Sequence, residues 1–316
     1  MNVFLQTFEA VAVLLSIGTL GFLLIRRHVV PTHFIKIAST LALDVALPCL
    51  VSVNILTKLN TQASPTWWQM PLWWLGFTVW AGGLAFFTSR AVRKENRKEF
   101  ALGMFYQNAL FFPLAILTEM FGQDSIFLVN LFLFTMFFAG FVFSTYPIVF
   151  GGGIKQLDWR KCLHPVTLVT IAAVTLNLSG VGEHIPGFVV SALDMVGQMT
   201  VPLLMLVLGA SIYIDFKGRG KVQTMEVAKF VAMKNFLFPL LTFGILVFVK
   251  PPYPVALILI LQAAVPPITS APILVGRENG NRSLASQFVF ASFAFSLISI
   301  PLMMAMFDAH FTSASP

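Results

Sequence analysis

The sequence predicts an all-α membrane protein of ten transmembrane helices, laid out as two inverted five-helix repeats with both termini outside. Three observations carry that expectation. Of the 316 residues, 57% are hydrophobic and only 10% charged, against about 25% charged in soluble domains. The apolar residues fall in ten continuous runs of about 20 residues or more, the length at which a helix crosses a hydrocarbon core of about 30 Å, and they lack the alternation of barrel strands. The basic residues, finally, collect on one face of the membrane that those ten runs define.

Taken in order, the runs span roughly 3–25, 33–57, 67–88, 99–121, 125–149, 162–181, 187–213, 222–249, 253–276 and 283–307. Span one is too long for a signal-peptide core and has no small-residue cleavage site, so it is expected to be retained. The loops after the odd-numbered spans hold the basic runs Arg26–Arg27, Arg90–Lys98, Lys155–Lys161, Lys217–Lys221 and Arg277–Arg282, with Lys36 beside the first. Counting Lys229 and Lys234 on the same side of span eight, 18 of the 20 basic residues share one face, and only Lys58 and Lys250 fall opposite. The positive-inside rule makes that face cytoplasmic. Membrane topology therefore explains the net charge of +7, and a nucleic-acid partner is not expected. Trp67, Trp68, Trp73 and Trp74 anchor the outer start of span three, and Trp159 an inner edge.

The remaining chemistry is sparse. Cys49 and Cys162 make no disulfide framework. The five histidines, His28, His33, His164, His184 and His310, lack metal-ligand spacing, so no cofactor or metal is expected. Gly151–Gly153 is too short and wrongly placed for a phosphate-binding loop. These absences argue against a pump driven by ATP and against an enzyme.

Span nine organises the chain. Its segment Leu261–Gly276 carries Pro266, Pro267 and Pro272 inside an apolar run. Each proline removes a backbone donor and clashes with the preceding turn, at about 3 kcal/mol or more. The helix is expected to open around Pro266–Ser270. Freed backbone groups survive at membrane depth only against protein or a water-filled cavity, and broken helices of this kind form the sites of many secondary transporters. Span four is the expected partner, opened at Pro113 beside Gln107 and Asn108.

The repeat is read from spacing. Pro48 and Pro202, Pro113 and Pro267, and Pro147 and Pro301 all stand 154 residues apart (202 − 48), and Gln107 and Gln262 stand 155 apart (262 − 107). ALD recurs at 42–44 and 192–194, and QNA at 107–109 answers QAA at 262–264. An odd number of spans per repeat turns the second half upside down, dividing the chain at 1–150 and 151–316. The two interrupted helices are expected to cross, with Pro113 near Pro266 and Pro267.

Two half-helix N-termini at one point make an anion site without a charged side chain. Gln107, Asn108, Gln262, Thr269 and Ser270 can add hydrogen bonds to a carboxylate, or they can simply satisfy the freed backbone. Asp44 and Asp194, each about eight residues inside a span, are candidates for proton coupling or for bonding a neighbouring helix. Lys234 is expected to snorkel or to pair with an acid.

The pieces ALPCLVSVNI (46–55), VPLLMLVLGASI (201–212), AAVPPITSAPILV (263–275) and SQFVFASFAFSLISIPLMM (286–304) resemble the auxin efflux carrier family in its compact bacterial form. The resemblance implies the bile-acid symporter-like fold, with spans one, two, six and seven as scaffold and spans three to five and eight to ten as a moving transport domain. It also implies a homodimer in a bacterial inner membrane and elevator-type movement of organic anions, either indole-acetate-like or small mono- and dicarboxylic acids. One departure is the bulky Phe111–Phe112 pair after Asn108, where the family has Asn and glycines; it favours an aromatic or apolar substrate. The expected function is secondary or facilitated transport of a small organic anion. A proton is the expected coupling ion ahead of sodium, and membrane potential is an equal alternative. A ligand sensor of the same fold and a channel are the competing readings; no charged ring or filter repeat supports the channel.

Overall fold

The structure is a computed structural model and describes residues 3–62, 65–123, 125–152, 164–217 and 222–311. Cys162, Trp159, Gly153 and the basic residues Lys155, Arg160, Lys161, Arg219 and Lys221 lie outside the described residues. Among those described, every regular element is a helix. The helices are α1 (Val3–Arg26), α2 (Phe34–Thr40), α3 (Leu47–Lys58), α4 (Met70–Thr88), α5 (Arg97–Phe105), α6 (Phe111–Phe121), α7 (Ile126–Thr135) and α8 (Phe138–Val149). They continue as α9 (Pro165–Leu178), α10 (Gly187–Gly197), α11 (Thr200–Lys217), α12 (Thr224–Val231), α13 (Phe238–Val249), α14 (Tyr253–Ala264), α15 (Ala271–Arg277) and α16 (Arg282–Phe311).

Several of these join end to end. π-helical turns at Leu41–Ala46 and Ala232–Leu237 link α2 to α3 and α12 to α13 without interrupting the rod. Seven stretches are thereby long and apolar enough to cross a membrane: 3–26, 34–58, 67–91, 126–149, 187–214, 224–249 and 282–311. The other three expected spans differ in kind. α9 has 14 residues, and spans four and nine are each broken into two short helices, α5 with α6 and α14 with α15.

α1 and α11 form the tightest seam. A methyl group on Gly209 would overlap the Gly18 carbonyl, and one on Gly21 would overlap the Leu206 carbonyl. Only glycine lets the two backbones approach that closely. α3 packs against α9 and α10, where Gly197 leaves room for the Leu50 backbone. The long α16 lies against α1, α12, α14 and α15. At the bend between α7 and α8 the freed carbonyl of Met136 accepts a 2.6 Å hydrogen bond from Thr167 of α9. Beneath the break in span four, Phe230 stacks on Phe288 with ring centres 4.4 Å apart, and Phe100 meets both edge-on.

One expectation about Lys234 is overturned. Its side chain neither snorkels nor pairs with an acid: it is 0% exposed, and its Nζ has no hydrogen-bond partner. The π turn and the flanking Phe230 and Phe238, both fully buried, turn it inward.

Candidate functional site at the meeting of the two broken helices

The break in span nine follows from its prolines. α14 ends at Ala264, and Pro266 and Pro267 have no amide to continue the ladder; Pro272 then falls in the first turn of α15, where its missing donor costs nothing. The break in span four has another origin. α5 ends at Phe105 and α6 starts at Phe111, so Pro113 sits in the first turn of the second half-helix instead of opening the first.

The spacing of 154 read from the sequence does not describe the two breaks. The ends Phe105 and Ala264 stand 159 residues apart (264 − 105), not 154. Pro113, third in α6, therefore answers Pro272, second in α15, instead of Pro267. Gln107 lies inside its break, whereas Gln262 lies in the last turn of α14.

The two breaks are extended and pair with one another. Asn108 N–H donates to the Pro266 carbonyl at 2.9 Å, and Ile268 N–H donates to the Tyr106 carbonyl at 2.9 Å, framing an antiparallel bridge between Gln107 and Pro267. Gln262 Nε2 donates to the Ala109 carbonyl at 2.6 Å. The Tyr106 hydroxyl, buried beside them, bonds Thr145 of α8 at 2.8 Å. Each break thus supplies what the other lacks, as backbone buried away from water requires.

A cavity of about 240 Å³ opens at this junction. One wall is Gln107–Phe111 with Ile268, Thr269, Ser270 and Ile273, the residues leading into the N-termini of α6 and α15. α8 adds Phe138, Ala139, Val142 and Phe143, and Thr135 of α7 stands beside them. The facing wall comes from α2 and α3 (Ser39, Leu43, Leu47), the start of α9 (His164, Val166) and α11 (Leu204, Val207, Leu208, Ser211). Among the described residues that line it there is no Asp, Glu, Lys or Arg. Two polar atoms are held in reserve: Gln107 Nε2 and Asn108 Nδ2 are buried and make no hydrogen bond. Buried amides are normally satisfied, and these two are the exceptions at the junction.

The structure therefore divides the sequence-predicted site residues. Gln107, Asn108, Thr269 and Ser270 line one cavity together. Gln262 is occupied by the Ala109 carbonyl, and Pro266 and Pro267 carry the cross-bonded backbone. Pro113 is buried behind them in α6. Asp44 and Asp194 do not line the cavity. Asp44 is exposed on the π turn of span two and interacts electrostatically with His164. Asp194 is half-buried and accepts a 2.8 Å bond from Gln198. Neither has the full burial on which a coupling role was expected. Sequence reasoning missed His164, whose Nδ1 also caps α9 by accepting from Val166 N–H at 3.4 Å. It missed the α8 and α11 walls too, whose apolar residues carry no signal distinct from ordinary core.

A membrane transport protein family model matches residues 6–150 and 153–304. The chain belongs to that family. It is the auxin efflux carrier family that the sequence motifs resemble. Comparison with curated protein sequences returns no match. Family membership and the apolar helices together make this an integral, multi-pass membrane transporter.

Proposed function

We propose that the protein is a secondary or facilitated carrier of small organic anions, which binds its substrate at the junction of the two broken helices and moves it by an elevator motion. The observation that carries this reading is the pair Gln107 and Asn108, whose buried amide nitrogens have no partner, in the wall of a largely apolar cavity that also carries Thr269, Ser270, Ser211 and His164. Amide donors and the N-terminus of α6 suit a carboxylate, while Phe111, Phe138 and Phe143 suit an apolar or aromatic body. The volume falls below the roughly 300–1,000 Å³ of drug-sized sites, which fits a small mono- or dicarboxylic acid.

The placement of the walls supports the motion. One wall comes from the two breaks with α6, α7, α8 and α15, in the expected transport domain, and the other from α2, α3, α9 and α11, the expected scaffold. A ligand held between the two is handed across the membrane if one slides along the other. The seam of α1 with α11 suits a scaffold that stays still. The reading includes ten spans in two inverted halves, 1–150 and 151–316, with both termini outside, in a bacterial inner membrane and as a homodimer through the scaffold. Sodium, which takes several oxygen ligands, finds no carboxylate among the described lining residues, so a proton or the membrane potential is the favoured driving force.

The test is flux. Purified protein in liposomes should accumulate radiolabelled indole-3-acetate or succinate, and Asn108→Ala should reduce the rate at least tenfold at unchanged melting temperature. Saturable binding without flux would make the protein a sensor instead.

A further inference from the structure

Lys234 stands in the segment AMKNFL of span eight, in the middle of the π turn Ala232–Leu237. π turns inside α-helices are frequent at functional positions. Its neighbour Asn235 is fully engaged: Nδ2 donates to the Ser292 carbonyl at 3.0 Å and to Ser299 at 3.2 Å, and Oδ1 accepts from Ser292 at 2.7 Å. Lys234 has nothing comparable. Its Nζ lies 4.7 Å from the centre of the Phe238 ring and donates no hydrogen bond. A ring face compensates an ammonium only in part, and an uncompensated buried charge is costly.

The charged and titratable groups on the elements packed against this turn do not answer it. On α12, Glu226 is directed to Lys229 at 3.5 Å and to Arg93 at 3.9 Å. α13 has none, α14 has Tyr253 in its first turn, and α16 has Arg282, Asp308 and His310 at its ends. What does lie nearby is the junction of the broken helices. Phe230, one turn earlier on the same face, covers Gly103 so closely that a methyl there would stand 2.9 Å from the ring and 3.9 Å from Cβ of Pro267. α14 packs against the π turn itself. Lys234 thus stands one turn from the ring that closes over this part of the junction, and the cavity at the junction has no fixed positive charge among its described residues.

We infer that Lys234 is a proton-loading group coupled to the anion site: it stands as a neutral amine when the cavity is empty and takes up one proton when an anion enters. The inference rests on the junction being an anion site, as proposed above. No covalent bond to the substrate forms. The carboxylate arrives ionised, the amine binds one H⁺ from water to become an ammonium, and both are given up together on the far side. In a low-dielectric interior the two charges attract across the wall between them, and by linkage each favours the arrival of the other. One proton then accompanies each monoanion, and the loaded transport domain crosses with its charges balanced.

The experiment is isothermal titration of the purified full-length protein with indole-3-acetate, at neutral and alkaline pH and in buffers of different ionisation enthalpy. The probe is a carboxylate fully ionised throughout, so any proton uptake belongs to the protein. The parent protein should take up close to one proton per anion at alkaline pH, with affinity falling up to tenfold per pH unit. Lys234→Met should bind without proton uptake and without that pH dependence, and Lys234→Gln serves if the Met variant does not fold. Proton uptake that persists in the variants, or binding by the parent with no uptake at any pH, overturns the inference and leaves the anion site standing. No binding by the parent removes the anion-site reading, and the inference falls with it.

Discussion

The helices meet most intimately at two places, and they do so by opposite means. α1 and α11 touch through Gly18, Gly21, Leu206 and Gly209, with both backbones in unbroken helices and all internal hydrogen bonds kept. α5–α6 and α14–α15 touch through backbone that has left the helix, and their hydrogen bonds run from one break to the other. At the first contact the glycines set backbone against backbone, beside an apolar cavity lined by Leu14, Gly18, Phe22, Leu208, Gly209 and Ile212. The second joins two segments of the chain and still leaves Gln107 Nε2 and Asn108 Nδ2 without partners. Close approach alone therefore does not mark a binding site. What the junction adds is polar capacity left over after the approach.

That contrast can be broken at several points. The largest effect is expected at the seam, where Gly209→Val drives a branched side chain into the Gly18 carbonyl. Overpacking of this kind costs about 1–3 kcal/mol or more, and with rigid backbone as the obstacle the variant should lose monodisperse yield on size-exclusion chromatography. At the junction, Gln107→Ala should behave in the opposite way, losing at least tenfold in anion flux while its melting temperature holds, since the amide it removes has no partner in the protein.

Gln262→Ala sharpens the difference between the two glutamines. It strips the Ala109 carbonyl of its 2.6 Å donor and should cost about 1–3 kcal/mol, seen as a melting temperature lowered by a few degrees, with a smaller loss of flux than Gln107→Ala. The only gain in stability, and a small one, is expected for Lys234→Met. Replacing an unpartnered buried amine by an apolar chain of similar length should raise the melting temperature slightly. A drop there would show that Nζ has a partner in the folded protein.

The sequence made much of this legible, and the limits have physical causes. Pro266, Pro267 and Pro272 announce their break because proline deletes the donor that a helix needs. Tyr106–Leu110 contains no proline and announces nothing. That segment stays open because Pro266 and Ile268 take up its Asn108 amide and Tyr106 carbonyl, a tertiary cause with no local trace. For the same reason Pro113 drew attention that belonged to residues before it. Gln107 and Gln262 look alike in a sequence, and only the bonds at the junction separate the occupied amide from the open one. Lys234 read as a snorkelling residue because spacing places it on the basic side of the membrane, whereas the π turn and the rings around it decide its direction.

The exchange of bonds between the two breaks also bears on how the polypeptide is made. During synthesis span four enters the bilayer some 150 residues before span nine exists, so the Asn108 amide and the Tyr106 carbonyl must wait for acceptor and donor that the ribosome has not yet produced. Until then the first half is an unfinished clasp, sheltered by the insertion machinery or by water, and it closes only when its counterpart arrives.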